Sequence, residues 1–198
     1  MDQKWDNIAA FEGLEVREEG GQIHIDGYAA VFDSLSEAFE ARFREVIKPG
    51  AFREVLEKEA DIVALVDHEP KLPLGRRSKG TLEIREDTRG LRVSITPPDT
   101  QDVKDLTARI RRGDYGGMSF RFKVSADGER WTRENGQRIR EIRNLSRMPE
   151  ISIVTFPQYR ETAVALRSLE QFEKEEQQED VVCWADSERK KLDLEEES

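Results

Sequence analysis

Residues Gly116–Val124 read GGMSFRFKV. Two glycines lead into an alternating run. Met118, Phe120, Phe122 and Val124 fall on one side of an extended chain, and Ser119, Arg121 and Lys123 on the other. Such alternation marks a strand with one face in a core. Downstream, Asn135-Gly136 signals a type I′ hairpin with arms over about Arg130–Arg133 and Arg138–Leu145. Glu150–Phe156, EISIVTF, reads as a further strand that Pro157 ends.

Upstream, Asp99 or Thr100 follows Pro97-Pro98 and can cap a helix. Its Val103, Leu106 and Ile110 share a face, and Gly113 ends it. Thr81–Ile84 and Leu91–Ile95 flank EDTRG as a hairpin. Asp61–Asp67, DIVALVD, is a continuous apolar run and suits a strand covered on both faces. The next stretch, HEPKLPLGRRSKG, has too many Pro and Gly for regular structure. Arg42–Ile47 is a short strand, and Pro49-Gly50 opens a short helix with Phe52, Val55 and Leu56 on one face. Gln22–Phe32 is a strand interrupted at Gly27, where a bulge or bend is expected. The expected fold class is α+β, mostly antiparallel β, with two helices.

Hydrophobic residues make up 36% of the 198 and charged residues 37%. That is polar for a globular chain, and part of the excess lies in the C-terminal stretch. We divide the chain into a domain over residues 1–168 and an acidic, helix-prone or disordered tail over 169–198. No apolar run approaches the roughly 20 residues that span a bilayer. MDQKWDNIAAF lacks the basic start and apolar stretch of a signal peptide, so an intracellular, soluble chain with no membrane partner is expected. The net charge of −10 argues against binding nucleic acid through phosphate neutralisation. Cys183 is the one cysteine, lies in the tail, and reads as an incidental thiol.

Only two histidines are available as proton shuttles near neutral pH. His24 alternates with Ile23 and Ile25 and faces away from the apolar side. His68 stands where the buried run meets the irregular loop, a place that fixes the backbone and exposes the ring. Ser119 by itself reads first as an ordinary polar strand residue; the glycines before it, which could offer N–H groups to an oxyanion, also admit a nucleophile. Glu150, Asp67 and Asp99 compete to orient a histidine. Asp67 would need a tight local turn to reach its neighbour's ring, which favours Glu150. Arg76-Arg77 reads either as a solvated basic loop or as a binder of substrate carboxylates.

Six motifs then stand in order: GYAAVFD (Gly27–Asp33), IKPGAF (Ile47–Phe52), DHEPKLPLGR (Asp67–Arg76), TLEIREDTRGL (Thr81–Leu91), GGMSFRF (Gly116–Phe122) and EISIVTFP (Glu150–Pro157). Over about Gln22 to Ser168 this series resembles the HK97-type prohead protease family of tailed bacteriophages. The resemblance implies a serine endopeptidase distantly similar to herpesvirus assemblins, with a β-barrel and flanking helices. His68 matches the family's DH motif and would be the general base. Ser119 matches the serine of its MSF motif and would be the nucleophile. Assemblins carry histidine at the third position; here that region holds Glu150, and no histidine follows His68. The implied substrates are the scaffold segment of the major capsid protein and the protease itself, inside the assembling prohead in the host cytoplasm. No cofactor or metal is implied. The alternative is a non-enzymatic head assembly protein associated with the scaffold.

Overall fold

The computed structural model describes residues 6–10, 13–36, 42–155 and 168–174. The described strands form three sheets. The first runs β1 (Asp6–Ala10), β9 (Gly117–Val124), β12 (Leu145–Val154), β5 (Val63–Val66) and β6 (Gly75–Arg76). Its neighbours are antiparallel except β12 and β5, which run parallel. The second, antiparallel throughout, runs β2 (Glu15–Glu19), β3 (Gln22–Val31), β8 (Gly90–Ile95) and β7 (Leu82–Glu86). The third is β10 (Glu129–Glu134), β11 (Gln137–Ile142) and β4 (Phe43–Ile47), with β11 and β4 parallel. The fold is therefore mostly antiparallel β with few helices. Each sheet has two free ends, so the described residues contain no closed barrel.

The alternation in β9 does what the sequence predicts. Met118, Phe120 and Phe122 are buried. Phe120 packs edge-on against Phe52 at 5.4 Å and tilted against Phe122 at 5.1 Å between ring centroids. Each such ring contributes about 1.5–3 kcal/mol by leaving water. Helix α2 (Gln101–Arg112) buries Val103, Leu106 and Ile110 and ends at Gly113, whose φ of 89° is the left-handed cap glycine favours. The Asn135-Gly136 turn has φ of 51° and 80°, the paired positive values of a type I′ hairpin.

Several local details differ from the sequence reading. The second hairpin arm stops at Ile142, because Arg143 and Asn144 both donate their N–H to the Gly128 carbonyl and turn the chain. Leu145 then opens β12, well before Glu150. Pro149 sits inside that strand at a register irregularity between Arg147 and Glu150, where its missing N–H breaks no regular ladder bond. The β3 irregularity falls between Tyr28 and Ala30, not at Gly27. A Cβ on Gly27 would lie 3.2 Å from the Met118 sulfur, so close packing accounts for the glycine. Helix α1 (Arg53–Lys58) starts after Pro49-Gly50. The Glu86 carboxylate accepts the Gly50 and Phe52 N–H groups at 2.7 and 3.1 Å and holds that entry as a turn.

The chain divides into two compact units, Met1–Glu161 and Thr162–Ser198. In the second, residues 168–174 are helical. The rest of the acidic tail, with Cys183, lies outside the described residues, as does Pro157. No helix among the described residues is long and apolar enough to cross a membrane.

The third sheet contains a buried charge. Arg140 is fully buried, with Nε 2.6 Å from Glu129 Oε2 and Nη1 2.7 Å from Glu45 Oε1. Glu45 is itself 5% exposed. Removing the guanidinium strands that carboxylate away from water. Arg140→Ala is expected to lower the unfolding free energy by about 3–5 kcal/mol in urea denaturation. A loss below about 1 kcal/mol would mean that the carboxylates find other partners.

Candidate active site

The site is built on the β9–β12 pairing. Ser119 stands opposite Ser152, and Arg121 opposite Glu150. Residues directly opposite share a face, so these four side chains lie together on the side away from Phe120. Ser119, Glu150 and Ser152 are all buried, at 2%, 6% and 1% exposure.

His68 reaches this face from the end of β5. Because β5 runs parallel to β12 with Val63 beside Glu150, an extended chain would carry residue 68 far past the carboxylate. A left-handed pair folds it back, Asp67 at φ 47° and His68 at φ 62°. The Asp67 N–H is anchored on the Ile153 carbonyl at 2.8 Å, and the Glu69 N–H on that of Val66 at 2.9 Å. Asp and His tolerate this region better than most residues, yet each such position still costs on the order of 1–3 kcal/mol. The Asp67 carboxylate offsets part of this by accepting the Thr155 N–H at 2.9 Å and its hydroxyl at 3.3 Å.

The returned ring is held by a carboxylate. His68 Nδ1 lies 2.7 Å from Glu150 Oε1. The Ser152 hydroxyl donates to Glu150 Oε2 at 2.6 Å and accepts the His68 backbone N–H at 3.2 Å. Arg121 Nε lies 3.3 Å from Glu150 Oε1. A carboxylate on Nδ1 selects the tautomer with its proton there and leaves Nε2 as the basic nitrogen. The His68 side chain is 21% exposed and that of Arg121 39%, so these two form the accessible side of the cluster.

Of the three competing carboxylates, Glu150 is the one at the histidine. Asp67 is engaged with Thr155, and Asp99 pairs with Lys104 at 2.8 Å. His24 belongs to β3 and contacts the Thr96 hydroxyl at 3.2 Å. The basic pair after His68 is structural: Arg76 grips Asp61 through two bonds of 2.7 and 2.5 Å, and Arg77 donates to the Leu56 and Glu59 carbonyls at the end of α1. The Arg76 guanidinium, with the Ser78 hydroxyl, holds the Asp61 carboxyl far below the usual carboxylate range. Gly116 is no oxyanion donor in this conformation, because its N–H is bound to the Val154 carbonyl at 3.1 Å. Sequence reasoning gave Arg121 and Ser152 no role. The signal for both was present, since each stands two residues from a candidate on a strand and so shares its face.

The caudovirus prohead serine protease family matches this chain over residues 12–176. The chain belongs to that family. Among solved structures it is similar to the capsid assembly protease of bacteriophage T4, at 11% identity, with 77% of this chain and 94% of that one covered and a TM-score of 0.43. No curated protein matches. Prohead proteases are enzymes of capsid maturation, and this member carries a histidine–carboxylate pair on the same sheet face as a serine.

The turn at Asp67 is the weak point of that arrangement. Asp67→Ala removes both acceptors for Thr155 and leaves a residue with no side-chain hydrogen bond in the left-handed region. We expect a loss of about 1–3 kcal/mol in chemical denaturation. An unchanged midpoint would show that the β5 and β12 backbones alone hold the turn.

Proposed function

We propose that the chain is a serine endopeptidase with Ser119 as nucleophile, His68 as general base and Glu150 as the residue that orients the base. What carries this reading is the 2.7 Å contact between His68 Nδ1 and Glu150, made on the strand face that also holds Ser119. A neutral His68 takes the Ser119 proton on Nε2 as the oxygen attacks a peptide carbonyl. The imidazolium that forms is stabilised by Glu150. Collapse of the tetrahedral intermediate breaks the C–N bond, and His68 gives its proton to the leaving amine. Water, activated by the same ring, then hydrolyses the acyl-serine. Substrate approaches past His68 and Arg121, the accessible members of the cluster.

On this reading the substrates are the scaffold segment of the major capsid protein and the protease itself, cut inside the assembling prohead. The distant kinship with herpesvirus assemblins belongs to this reading, with a carboxylate where those enzymes carry histidine.

Co-expression with the cognate capsid protein tests it. Wild type is expected to shorten the capsid protein, and Ser119→Ala to lose at least about 10³-fold in rate. Glu150→Gln keeps the shape of the carboxylate but favours the wrong tautomer of His68, and is expected to lower kcat by about 10²–10⁴-fold. Equal shortening by wild type and Ser119→Ala would remove Ser119 from the mechanism. No shortening by either would favour a non-enzymatic assembly role.

A further inference from the structure

Ser152 is a second buried serine on the face that holds Ser119, and nothing in the proposed mechanism uses it. A hydroxyl has one proton to give and lone pairs to receive with. Both functions are committed in a particular direction. The proton goes to Glu150 Oε2 at 2.6 Å, and the oxygen accepts the backbone N–H of His68 at 3.2 Å. At 1% exposure no water replaces either partner. One atom therefore joins the two parts of the histidine–carboxylate unit that the ring contact does not join: the backbone of the base and the free oxygen of the carboxylate. The tie falls on a left-handed residue, His68 at φ 62°, whose conformation must be imposed by its surroundings.

We propose that Ser152 is a positioning residue for the proteolytic reaction, a hydroxyl clamp that fixes the His68 backbone and the Glu150 carboxylate relative to each other. This rests on the assignment of His68 and Glu150 given above. Ser152 is not a second nucleophile, because its proton points to a carboxylate and not to the basic nitrogen of His68. Its loss leaves the His68 N–H and Glu150 Oε2 without that partner and lets the ring leave the line of attack. Ground-state binding of the peptide is untouched, so the deficit falls on kcat.

The test uses the full-length protein with a peptide substrate and a fluorophosphonate that acylates active serines. Ser152→Ala is expected to lower kcat by about 10- to 100-fold, the usual size for losing a group that orients a reactive side chain, with KM changed less than about 2-fold. Fluorophosphonate labelling should slow in proportion. The His68 amide should exchange faster with solvent while those of Phe120 and Ile153 keep their protection. Ser152→Thr keeps the hydroxyl on a strand-favouring residue and should recover most of the rate. If Ser152→Ala fails to fold, Ser152→Cys serves instead, since it keeps the shape of the side chain at slightly larger volume and weakens both hydrogen bonds; the same kcat-selective loss is expected.

A kcat within about 2-fold of wild type in Ser152→Ala, or in Ser152→Cys if the alanine variant does not fold, would overturn the proposal and leave the Ser119 mechanism standing. So would a loss shared equally between kcat and thermal stability, with no recovery in Ser152→Thr. Labelling that survives Ser119→Ala but vanishes in Ser152→Ala would make Ser152 the nucleophile and overturn both readings. Wild-type protein that neither cleaves nor labels would sink the protease assignment itself.

Discussion

The site depends on the register between β9 and β12. One face of this pair is apolar, with Met118, Phe120, Ile151 and Ile153 almost wholly buried. The other carries Ser119, Arg121, Glu150 and Ser152. A slip of one residue in β12 would exchange its faces. Ile151 and Ile153 would then lie beside Ser119, and Glu150 and Ser152 among the phenylalanines. Burying a carboxylate there without its partners costs about 3–5 kcal/mol, a large share of a typical domain's stability. The core thus fixes the phase of the polar face. The irregularity at Met148 and Pro149 belongs to the same device, because it sets the phase in which β12 enters the pairing just before Glu150.

A second constraint comes from the parallel pairing of β5 with β12. It delivers the chain at Asp67 travelling away from Glu150, and only a sharp reversal brings the histidine back. The protein makes that reversal with two non-glycine residues in the left-handed region. The strain is local and so are the bonds that oppose it, from Thr155, Ser152 and Glu150 on the neighbouring strand. All of these holds come from β12 or the residue that follows it. His68 is consequently positioned by the strand that supplies its carboxylate, and a shift of β12 carries both together.

Much of this was legible in the sequence, and the exceptions have physical causes. GGMSFRF and EISIVTF identified both strands, and alternation in the first put Ser119 on the face opposite Met118 and Phe120. The apolar run before His68 identified β5, and Asn135-Gly136 identified its hairpin. Beyond that, local signals mislead. The last strand read as starting at Glu150, yet it begins at Leu145 and accommodates Pro149 at a bulge that only the partner strand defines. Arg76 and Arg77 read most simply as a solvated basic loop, but distant carbonyls and a carboxylate claim them. The glycines before Ser119 suggest free N–H groups, whereas Gly116 is already in the ladder. Ser152 and Arg121 shared faces with the candidates, but their roles need the cross-strand register, which is a property of the pair of strands and not of either alone.

The choice of a carboxylate at position 150 follows from its neighbours. Three donors converge on it: the His68 ring, the Ser152 hydroxyl and the Arg121 guanidinium. A histidine in that place offers one acceptor nitrogen when neutral and none when charged, so it could not receive all three. A carboxylate has two oxygens and about four lone-pair directions, enough for the ring on one oxygen and the hydroxyl on the other. Arg121 then shares Oε1 with the ring at the longer distance of 3.3 Å, from the more exposed side. The residue at position 150 is therefore bound up with Arg121 and Ser152. Replacing Glu150 by histidine would leave the buried Ser152 hydroxyl without its carboxylate acceptor and turn Arg121 over to solvent.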